Sequence, residues 1–342
     1  MTSLQSIILI LTFLSTSAFA QINHEPCGSD QITKKLYSID PEYKKMEEEH
    51  NKKVEALINN FSSLKSANDI LTIPIVVHII HKGEAVGTGS NISNAQIMSA
   101  INSLNDAYSG AYSGTSVDTK IQFCLAQRDP DCNATTGINR VNATGTGNYE
   151  NVGLIPSGAG DNETSVKNLS KWPRSQYYNV WVVSEINDNN GGSGTQGFAY
   201  LAPGSTTNDG AVVLYNSFGY DPNGNLGYNL KSYTNYNITT IHELGHGLGL
   251  YHTFQGDVSS SGTLQCPTDS DCGSNGDCVS DTRRHMRDYG CASGSNSCDG
   301  GNLNEISNNF LSYSSDACQT NFTQGQKDRM RAAILTSRRF SS

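Results

Sequence analysis

The residues of this chain best suited to chemistry lie in the segment His242-Glu243-Leu244-Gly245-His246. On a helix, His242 and His246 are four residues apart and project from successive turns of one face, so both imidazoles can bind one metal ion at about 2.0–2.1 Å. Glu243 flanks that face without being a ligand, which is where a base that deprotonates a zinc-bound water must sit. The segment therefore predicts a hydrolytic zinc site.

A third histidine follows at the offset that a three-histidine site requires. Gly249 can adopt a positive φ and end the helix, so that His252 can turn back toward the metal. Three protein ligands leave one coordination position open, which is typical of a catalytic zinc rather than a structural one. The HExxH pattern alone arises by chance in many helices, but the added glycine and histidine make it specific. Other histidines lack such spacing, and three of them are predicted to be solvated: His24, His50 and His285.

The elements that must position this site follow from the pattern of apolar residues. A long helix near residues 236–250 carries the histidines, and a helix at 93–108 begins with Ser93 as its N-cap. Strands are predicted at 73–80, 121–126, 178–183, 197–200 and 211–214, and a last helix is predicted at 323–336. Because strands and helices intermix without a linker, the order predicts one α/β (α+β) unit.

The cysteines predict an exported protein. Six of the nine lie within residues 266–318, a segment rich in Gly, Ser and Asp, which favours loops cross-linked by disulfides in an oxidising compartment. A structural zinc cluster is the alternative, but the chain contains no C-x2-C pair. Cys27 is isolated and is expected to stay unpaired, while the other eight cysteines allow 105 pairings. Cys124 with Cys132 is the local pair that we expect.

The N-terminal region also predicts export. An apolar run at residues 7–14 is too short to span a bilayer, and Ala18-Phe19-Ala20 follows it, so a signal peptide cleaved after Ala20 is predicted. Residues 21–70 are polar and have little to build a core of their own. Within them, a charged helix is predicted at 41–57 with Asp40 as its N-cap.

The composition excludes several classes of partner. The chain has 342 residues, a formal net charge of -9, 36% hydrophobic residues and only 16% charged ones. An acidic chain without a basic run is a poor binder of nucleic acid or anionic membranes. No apolar stretch beyond the N-terminus approaches the length of a membrane span. We therefore expect neither nucleic acid nor a membrane as a partner.

Several segments together resemble a known family. HELGHGLGLYH is similar to the elongated zinc motif of the metzincin metallopeptidases, and the surrounding segments resemble their pappalysin (ulilysin-like, cytophagalysin) branch. The matching segments are IPIVVHII, DPDCNATTGINRV, YNVWVVSEI, GFAYLAPG, HTFQG, GDCVSDT and NFLSYSSDACQTNFTQGQKDRM. The resemblance covers about residues 27–335. It implies a two-subdomain unit, with a mixed twisted sheet and the active-site helix above a disulfide-stapled, loop-rich lower part that ends in a helix.

Two positions depart from the family pattern. Leu311 stands where metzincins have the methionine of a tight turn below the zinc. Leucine and methionine are close in volume and both apolar, so the floor of the site should persist at a cost below about 1.5 kcal/mol. Arg283 replaces a proline that usually follows the Asp-Thr pair. That change concerns the geometry of one loop.

The resemblance also assigns roles to individual residues. Tyr313 matches a tyrosine that faces the zinc, where a phenol can donate a hydrogen bond to the oxyanion of an attacked carbonyl. A simple core tyrosine is the alternative. An edge strand above the cleft is implied at Gly197, Phe198, Ala199 and Tyr200. Such a strand offers unpaired backbone groups to an extended peptide substrate.

Latency and specificity are implied in the same way. Cys27, in the segment Pro26-Cys27-Gly28-Ser29-Asp30, would bind the open zinc position as a thiolate and block it. A free surface thiol or an intermolecular disulfide is the alternative. Asp316 would wall the first pocket on the leaving-group side and favour Arg or Lys immediately after the scissile bond. Otherwise it caps its own turn or faces solvent.

The sequence thus predicts a secreted, monomeric zinc endopeptidase made as a zymogen. The expected division is a signal peptide at 1–20, a prosegment at 21–70 and a catalytic domain at 71–342, whose upper part extends to about 249 and whose lower part is 250–342. No accessory domain is expected after the last helix. The resemblance also places Cys291, Cys298 and Cys318 in bridges of the lower part, and makes Ca²⁺ a second cation, with no ligands named.

Two other classes of protein compete with this interpretation. One is a non-catalytic binding protein that kept the fold, which only Leu311 supports, and the intact Glu243 argues against it. The other is a secreted, disulfide-rich interaction module with an incidental metal site. Zinc content together with peptide turnover would separate the three.

Overall fold

The structure is a computed structural model that describes residues 25–60, 69–156, 162–189, 192–204, 207–259 and 261–337. The predicted signal peptide, its cleavage after Ala20, and His24 lie outside the described residues. The six strands are Leu71–His81 (β1), Ile121–Leu125 (β2), Ile138–Asn142 (β3), Tyr178–Val183 (β4), Gly197–Ala199 (β5) and Ala211–Leu214 (β6). The helices are Ser29–Ile39 (α1), Pro41–Ile58 (α2), Asn94–Ser109 (α3), Tyr149–Val152 (α4), Glu163–Asn168 (α5), Ile238–Gly247 (α6), Asn304–Ser307 (α7) and Gln324–Ser337 (α8).

One mixed sheet forms the centre of the protein. Its strands run in the order β2-β1-β4-β6-β5, and β3 pairs with β1 beyond the end of β2. All pairs are parallel except β5 with β6, which is antiparallel. β5 therefore lies at one edge of the sheet, as predicted. The sequence did not indicate β3, because its residues are polar or half-buried and lack an apolar run.

Helices cover both faces of this sheet, because successive side chains of a buried strand point to opposite sides. On one side, Ile79 and Val182 pack with α3 and α6 in the larger core. On the other side, Ile80 and Trp181 lie in a second core with Phe198. The predicted mixed α/β architecture is confirmed, and α6 lies within the larger core.

The polar N-terminal segment obtains its core from the rest of the chain. Asp40 accepts a hydrogen bond from the Glu42 N–H and begins α2, as predicted. Val54 packs against Ala332 and Ala333 of α8. His50, which was expected to be solvated, is buried by the same contact, and burial lowers its pKa to about 4. The prediction was wrong because it treated α2 as an exposed helix.

A chain of buried polar contacts continues this interface. The Tyr251 hydroxyl donates to Glu47 Oε1 at 2.6 Å and accepts from Asn51 Nδ2 at 2.8 Å. The Arg329 guanidinium in turn donates to Asn51 Oδ1 at 2.7 Å. The contacts place the N-terminal helices in one orientation on the catalytic part.

The lower part is cross-linked by disulfides as expected, while the expected local pair of Cys124 with Cys132 was wrong. Three disulfides join Cys266 with Cys298, Cys272 with Cys278, and Cys291 with Cys318. Cys27, Cys124 and Cys132 are unpaired. The pairing of Arg128 with Ala134 closes a turn that holds Cys132 at its tip, apart from β2 where Cys124 lies.

His285, expected to be solvated, is buried among the loops, where its Nε2 lies 2.8 Å from Thr253 Oγ1. Dense cross-linking makes these loops a packed layer, which the sequence alone does not reveal. Among the helices of the described residues, none has the length and apolar character that crossing a bilayer requires.

The docking of α2 can be tested with one substitution. Val54 is 1% exposed, so Val54→Ala should weaken the docking of α2 by about 1–2 kcal/mol through lost apolar burial. Hydrogen exchange of the α2 amides should accelerate accordingly. Lys53→Ala, on the exposed side of the same turn, is the control and should leave exchange unchanged. Equal exchange in both variants would contradict this docking.

Candidate active site

The active-site helix α6 and the turn after it bring the three histidines together. His242, Glu243 and His246 are buried on α6. Gly249 then adopts a φ of 95°, and a Cβ at that position would lie 2.9 Å from the Cβ of Ala333. Glycine is therefore needed both for the left-handed turn and for the close approach. The chain reverses there and returns the fully buried His252 to the helix.

The donor atoms of the three imidazoles converge on one point. Their Nε2 atoms lie 3.0–3.2 Å from one another. Nδ1 of His242 donates to the Phe310 carbonyl and Nδ1 of His246 to the Leu250 carbonyl, each at 2.7 Å. A neutral imidazole that donates from Nδ1 presents a lone pair at Nε2. Burial lowers the pKa of His242, and that of His246 to about 3, so both rings are neutral.

This arrangement fits a metal ion. Three lone pairs that face one another within 3.2 Å repel unless a cation lies between them, and ligands about 2.0–2.1 Å from a shared zinc have such separations. The Cys27 thiol belongs to the same cluster, since Sγ and the three histidine donor atoms lie within 4.8 Å of one another. His242, His246 and His252 are thus the residues that would hold zinc.

The turn that contains Leu311 lies beneath the histidines. Its Phe310 carbonyl orients His242, and the Leu311 carbonyl accepts a hydrogen bond from the Thr253 N–H at 3.2 Å. The Leu311 side chain is fully buried in the larger core. The apolar floor is therefore present with leucine in the position of the family methionine.

Glu243 lies beside this cluster and contacts the N-terminal segment. Its Oε2 accepts from the Cys27 thiol at 3.5 Å and from the Ser29 hydroxyl at 3.2 Å, while Oε1 is buried without a partner among the described residues. Burial raises the pKa of Glu243 to about 8. Burial and the neighbouring Glu243 carboxylate also raise the pKa of the Cys27 thiol.

The N-terminal segment covers the edge strand. The Gln196 N–H donates to the Pro26 carbonyl at 2.7 Å, and the Gly28 N–H donates to the Gly197 carbonyl at 2.9 Å. The Ala199 N–H donates to the Ser29 hydroxyl at 2.9 Å. The segment runs parallel to β5. The backbone groups that the resemblance assigns to substrate binding are therefore occupied by the chain itself.

The side chains of β5 and the residue after it face the protein interior. Phe198 and Tyr200 are buried in the second core, and the Tyr200 hydroxyl donates to Glu163 at 2.8 Å. A Cβ on Gly197 would lie 2.9 Å from the Glu243 Cγ. Gly197 thus allows β5 to pass close to α6.

Tyr313 faces the histidines. Its ring centroid lies 4.8 Å from that of His252 and 6.0 Å from that of His242. Its hydroxyl donates to the Cys27 carbonyl at 3.2 Å. The phenol therefore donates to a backbone carbonyl of the N-terminal segment that occupies the cleft.

A pocket of about 640 Å³ opens beside the histidines, and Asp316 contributes to its wall. Pro26 also lines it, together with Glu243 and Tyr313. Asp316 Oδ2 is buried and has no hydrogen-bond partner among the described residues. Burial raises the Asp316 pKa to about 7, and the Tyr236 N–H and the Lys231 charge oppose that shift.

The contacts of two residues at the site were missed by the sequence analysis. Ser29 contacts both Glu243 and Ala199, and Asp30 Oδ2 lies 3.3 Å from Nδ1 of His252. Both residues stand in the Pro26–Asp30 segment that was singled out for its cysteine. Their polar side chains next to Cys27 were the available signal.

Comparisons with known proteins agree with this geometry. The sequence model of the family described as pregnancy-associated plasma protein-A matches residues 160–335. An extracellular metalloprotease of Colletotrichum graminicola is 30% identical over 268 residues, which cover 76% of this chain and 75% of that protein. An extracellular metalloprotease of Pyricularia oryzae is 27% identical over 331 residues, which cover 95% of this chain and 94% of that protein.

Solved structures show the same fold. A Glu-to-Ala mutant of promirolysin from Tannerella forsythia aligns with a TM-score of 0.62 at 26% identity, covering 92% of this chain and 95% of that chain. Mature mirolysin from Tannerella forsythia in complex with a cleaved peptide aligns with a TM-score of 0.55 at 27% identity, covering 77% of this chain and 91% of that chain. Together with the buried three-histidine cluster, these matches identify the chain as a member of the pappalysin family of metzincin zinc metallopeptidases and as an extracellular enzyme that cleaves peptide or protein substrates.

Proposed function

We propose that the chain is the zymogen of a zinc endopeptidase, in which residues 21–70 are the prosegment and 71–342 the catalytic domain. One observation carries this proposal: the Cys27 thiol lies among the three histidines and donates to Glu243. A thiolate at the metal would take the coordination position that a substrate needs. The same segment occupies the backbone of β5.

Two of the solved structures support latency, because the proform aligns with a larger fraction of this chain than the mature enzyme does. Promirolysin covers 92% of this chain and mature mirolysin only 77%, a difference of about 50 residues. That number is close to the length of residues 21–70. This difference supports the assignment of residues 21–70 to a prosegment.

The chain's own residues supply the proton transfers of peptide hydrolysis. Zinc, when bound by the three histidines, supplies Lewis acidity that polarises a carbonyl and acidifies water. Glu243 takes a proton from the attacking water and later passes it to the leaving amine. Tyr313 donates a hydrogen bond to the developing oxyanion of the substrate carbonyl. Gly197 and Ala199 pair with the substrate backbone once the prosegment has left.

Asp316 gives the pocket its preference. Asp316 Oδ2 is buried without a hydrogen-bond partner among the described residues, so it can accept a hydrogen bond from a guanidinium or ammonium group, whereas an apolar side chain would leave this oxygen unpaired. The pocket lies beside the histidines on the side where Pro26 enters. The proposed preference is therefore Arg or Lys directly after the scissile bond.

Calcium binding and the monomeric state remain predictions. The resemblance implies calcium. Metal analysis of the purified protein and its sedimentation would test both.

Glu243 is tested by Glu243→Gln. Since the amide cannot accept the proton, peptidase activity of the processed enzyme should fall by at least about two orders of magnitude. Zinc content and melting temperature should stay unchanged. Glu305→Gln, an exposed carboxylate of the lower part, is the control. Activity within a few-fold of wild type would contradict the assignment of Glu243 as the base.

The switch is tested by Cys27→Ala in the full-length precursor. Without the thiol, the metal position is open, so the precursor should show premature activity or self-cleavage near residues 60–72. Cys124→Ala, which removes another unpaired cysteine on the surface, should remain latent. A precursor with Cys27→Ala that stays as inactive as wild type would exclude the switch.

Asp316 is tested by the pH dependence of specificity. Its raised pKa of about 7 means that the carboxyl is neutral at lower pH and charged at higher pH. The ratio of kcat/KM for peptides with Arg or Gln after the scissile bond should therefore fall as pH drops from 8.5 to 5.5. Groups whose titration affects the cleavage of both peptides equally cancel in this ratio.

Asp316→Asn should give a low ratio that does not vary with pH. Lys231 and Tyr112, the other titratable groups near Asp316, are unchanged in this variant. Asp271→Asn, on an exposed loop, should behave as wild type. A high Arg to Gln ratio retained in Asp316→Asn would refute the role of Asp316.

A further inference from the structure

Beyond Cys27, the prosegment makes an ion pair inside the cleft. The Arg287 guanidinium donates from Nη1 to Glu25 Oε1 at 2.5 Å. Glu25 lies two residues before Cys27, and Arg287 belongs to the disulfide-linked lower part. Within the described residues, Glu25 is the acceptor for Nη1, so departure of the prosegment leaves that donor without a partner.

The Arg287 side chain is held firmly from behind. Asp257, itself buried, accepts from Nε at 2.9 Å and from Nη2 at 2.7 Å, and it also accepts from the Arg287 backbone N–H at 2.8 Å. The guanidinium carbon lies 5.0 Å from the ring centroid of Phe254 and 5.9 Å from that of Tyr313. The side chain is only 12% exposed. These contacts fix the direction of Nη1 independently of the prosegment. Binding of a ligand at Nη1 therefore costs little conformational entropy of the Arg287 side chain.

The prosegment itself shows where this donor lies relative to the scissile bond. Cys27 reaches the histidines, and Pro26 lines the pocket that Asp316 walls. Glu25 is one residue further from the histidines on the same side. An extended substrate that places its first leaving-group residue in the pocket would place its second one near Arg287.

We propose that Arg287 is a specificity residue that binds an acidic side chain at the second position after the scissile bond, and that Glu25 occupies this site in the zymogen. The inference rests on the proposed latent function of the segment. A planar guanidinium that Asp257 holds on one side can still donate from Nη1 to a second carboxylate. A glutamine would accept the same hydrogen bond without the charge, and a lysine would be repelled.

The test measures peptide binding rather than turnover. The precursor with Glu243→Gln is processed by added protease, and dissociation constants are measured for peptides that differ only in Glu, Gln or Lys at that second position. Glu should bind about tenfold more tightly than Gln, as expected of a charge-assisted hydrogen bond at a partly shielded site, and Lys should bind more weakly than both. Equal affinity for the three peptides would overturn the proposal.

Variants then assign the preference to its residue. Arg287→Gln should reduce the Glu to Gln ratio to about one, whereas Arg284→Gln, a neighbouring exposed arginine, should retain it. A role of Arg287 in stability alone would change melting temperature but not this ratio. A ratio that persists in Arg287→Gln would refute the assignment.

A second measurement does not require the Arg287 variant to fold. In the full-length precursor, Glu25→Gln removes the carboxylate charge that pairs with Arg287. Release of the prosegment on processing should therefore be several-fold faster than in wild type. Glu49→Gln, which neutralises an exposed carboxylate of α2, is the control. Unchanged release in Glu25→Gln would contradict the occupancy of this site by Glu25. Failure of wild-type enzyme to cleave any peptide would instead contradict the proposed function, and the binding ratio would still report on Arg287.

Discussion

The interaction on which the structure depends is the convergence of three imidazole nitrogens within 3.2 Å in a buried site. Backbone carbonyls of Phe310 and Leu250 fix the rings of His242 and His246 with their lone pairs inward. Such an arrangement is unfavourable without a cation, because the lone pairs repel and water is excluded. The sheet, α6 and the turn at Gly249 must therefore hold the rings in place, and a bound metal ion would stabilise the whole arrangement in return.

The polar N-terminal segment docks on the rest of the chain without a core of its own. Residues 25–60 contain too few apolar side chains for an independent core, and they use α8, Tyr251 and β5 of the catalytic part instead. The interface spreads over several modest contacts rather than one large apolar patch. The proposed release of this segment after cleavage would therefore disrupt no single large apolar contact.

Local patterns in the sequence were sufficient for the motif and most elements. The spacing of His242, His246 and His252 fixes which side chains meet, because helix periodicity and one glycine turn determine it. Long-range contacts were not accessible in this way. The burial of His50 depends on α8, that of His285 on the packing of cross-linked loops, and β3 forms only because β1 is long enough to pair beyond β2. Ser29 and Asp30 likewise gain their role from residues more than two hundred positions away.

Affinity and selectivity reside in different parts of the cleft. The edge strand β5 offers backbone groups, which any extended peptide can pair with whatever its sequence, so this interaction favours binding without discrimination. The N-terminal segment pairs with this strand in the structure, so under the proposed latency it would compete with every substrate. Under the proposal, discrimination comes from charges fixed around the strand. In the proposed arrangement, Asp316 and Arg287 supply opposite charges at successive positions, so a substrate with a basic residue followed by an acidic one would satisfy both, whereas the reverse order would meet two repulsions.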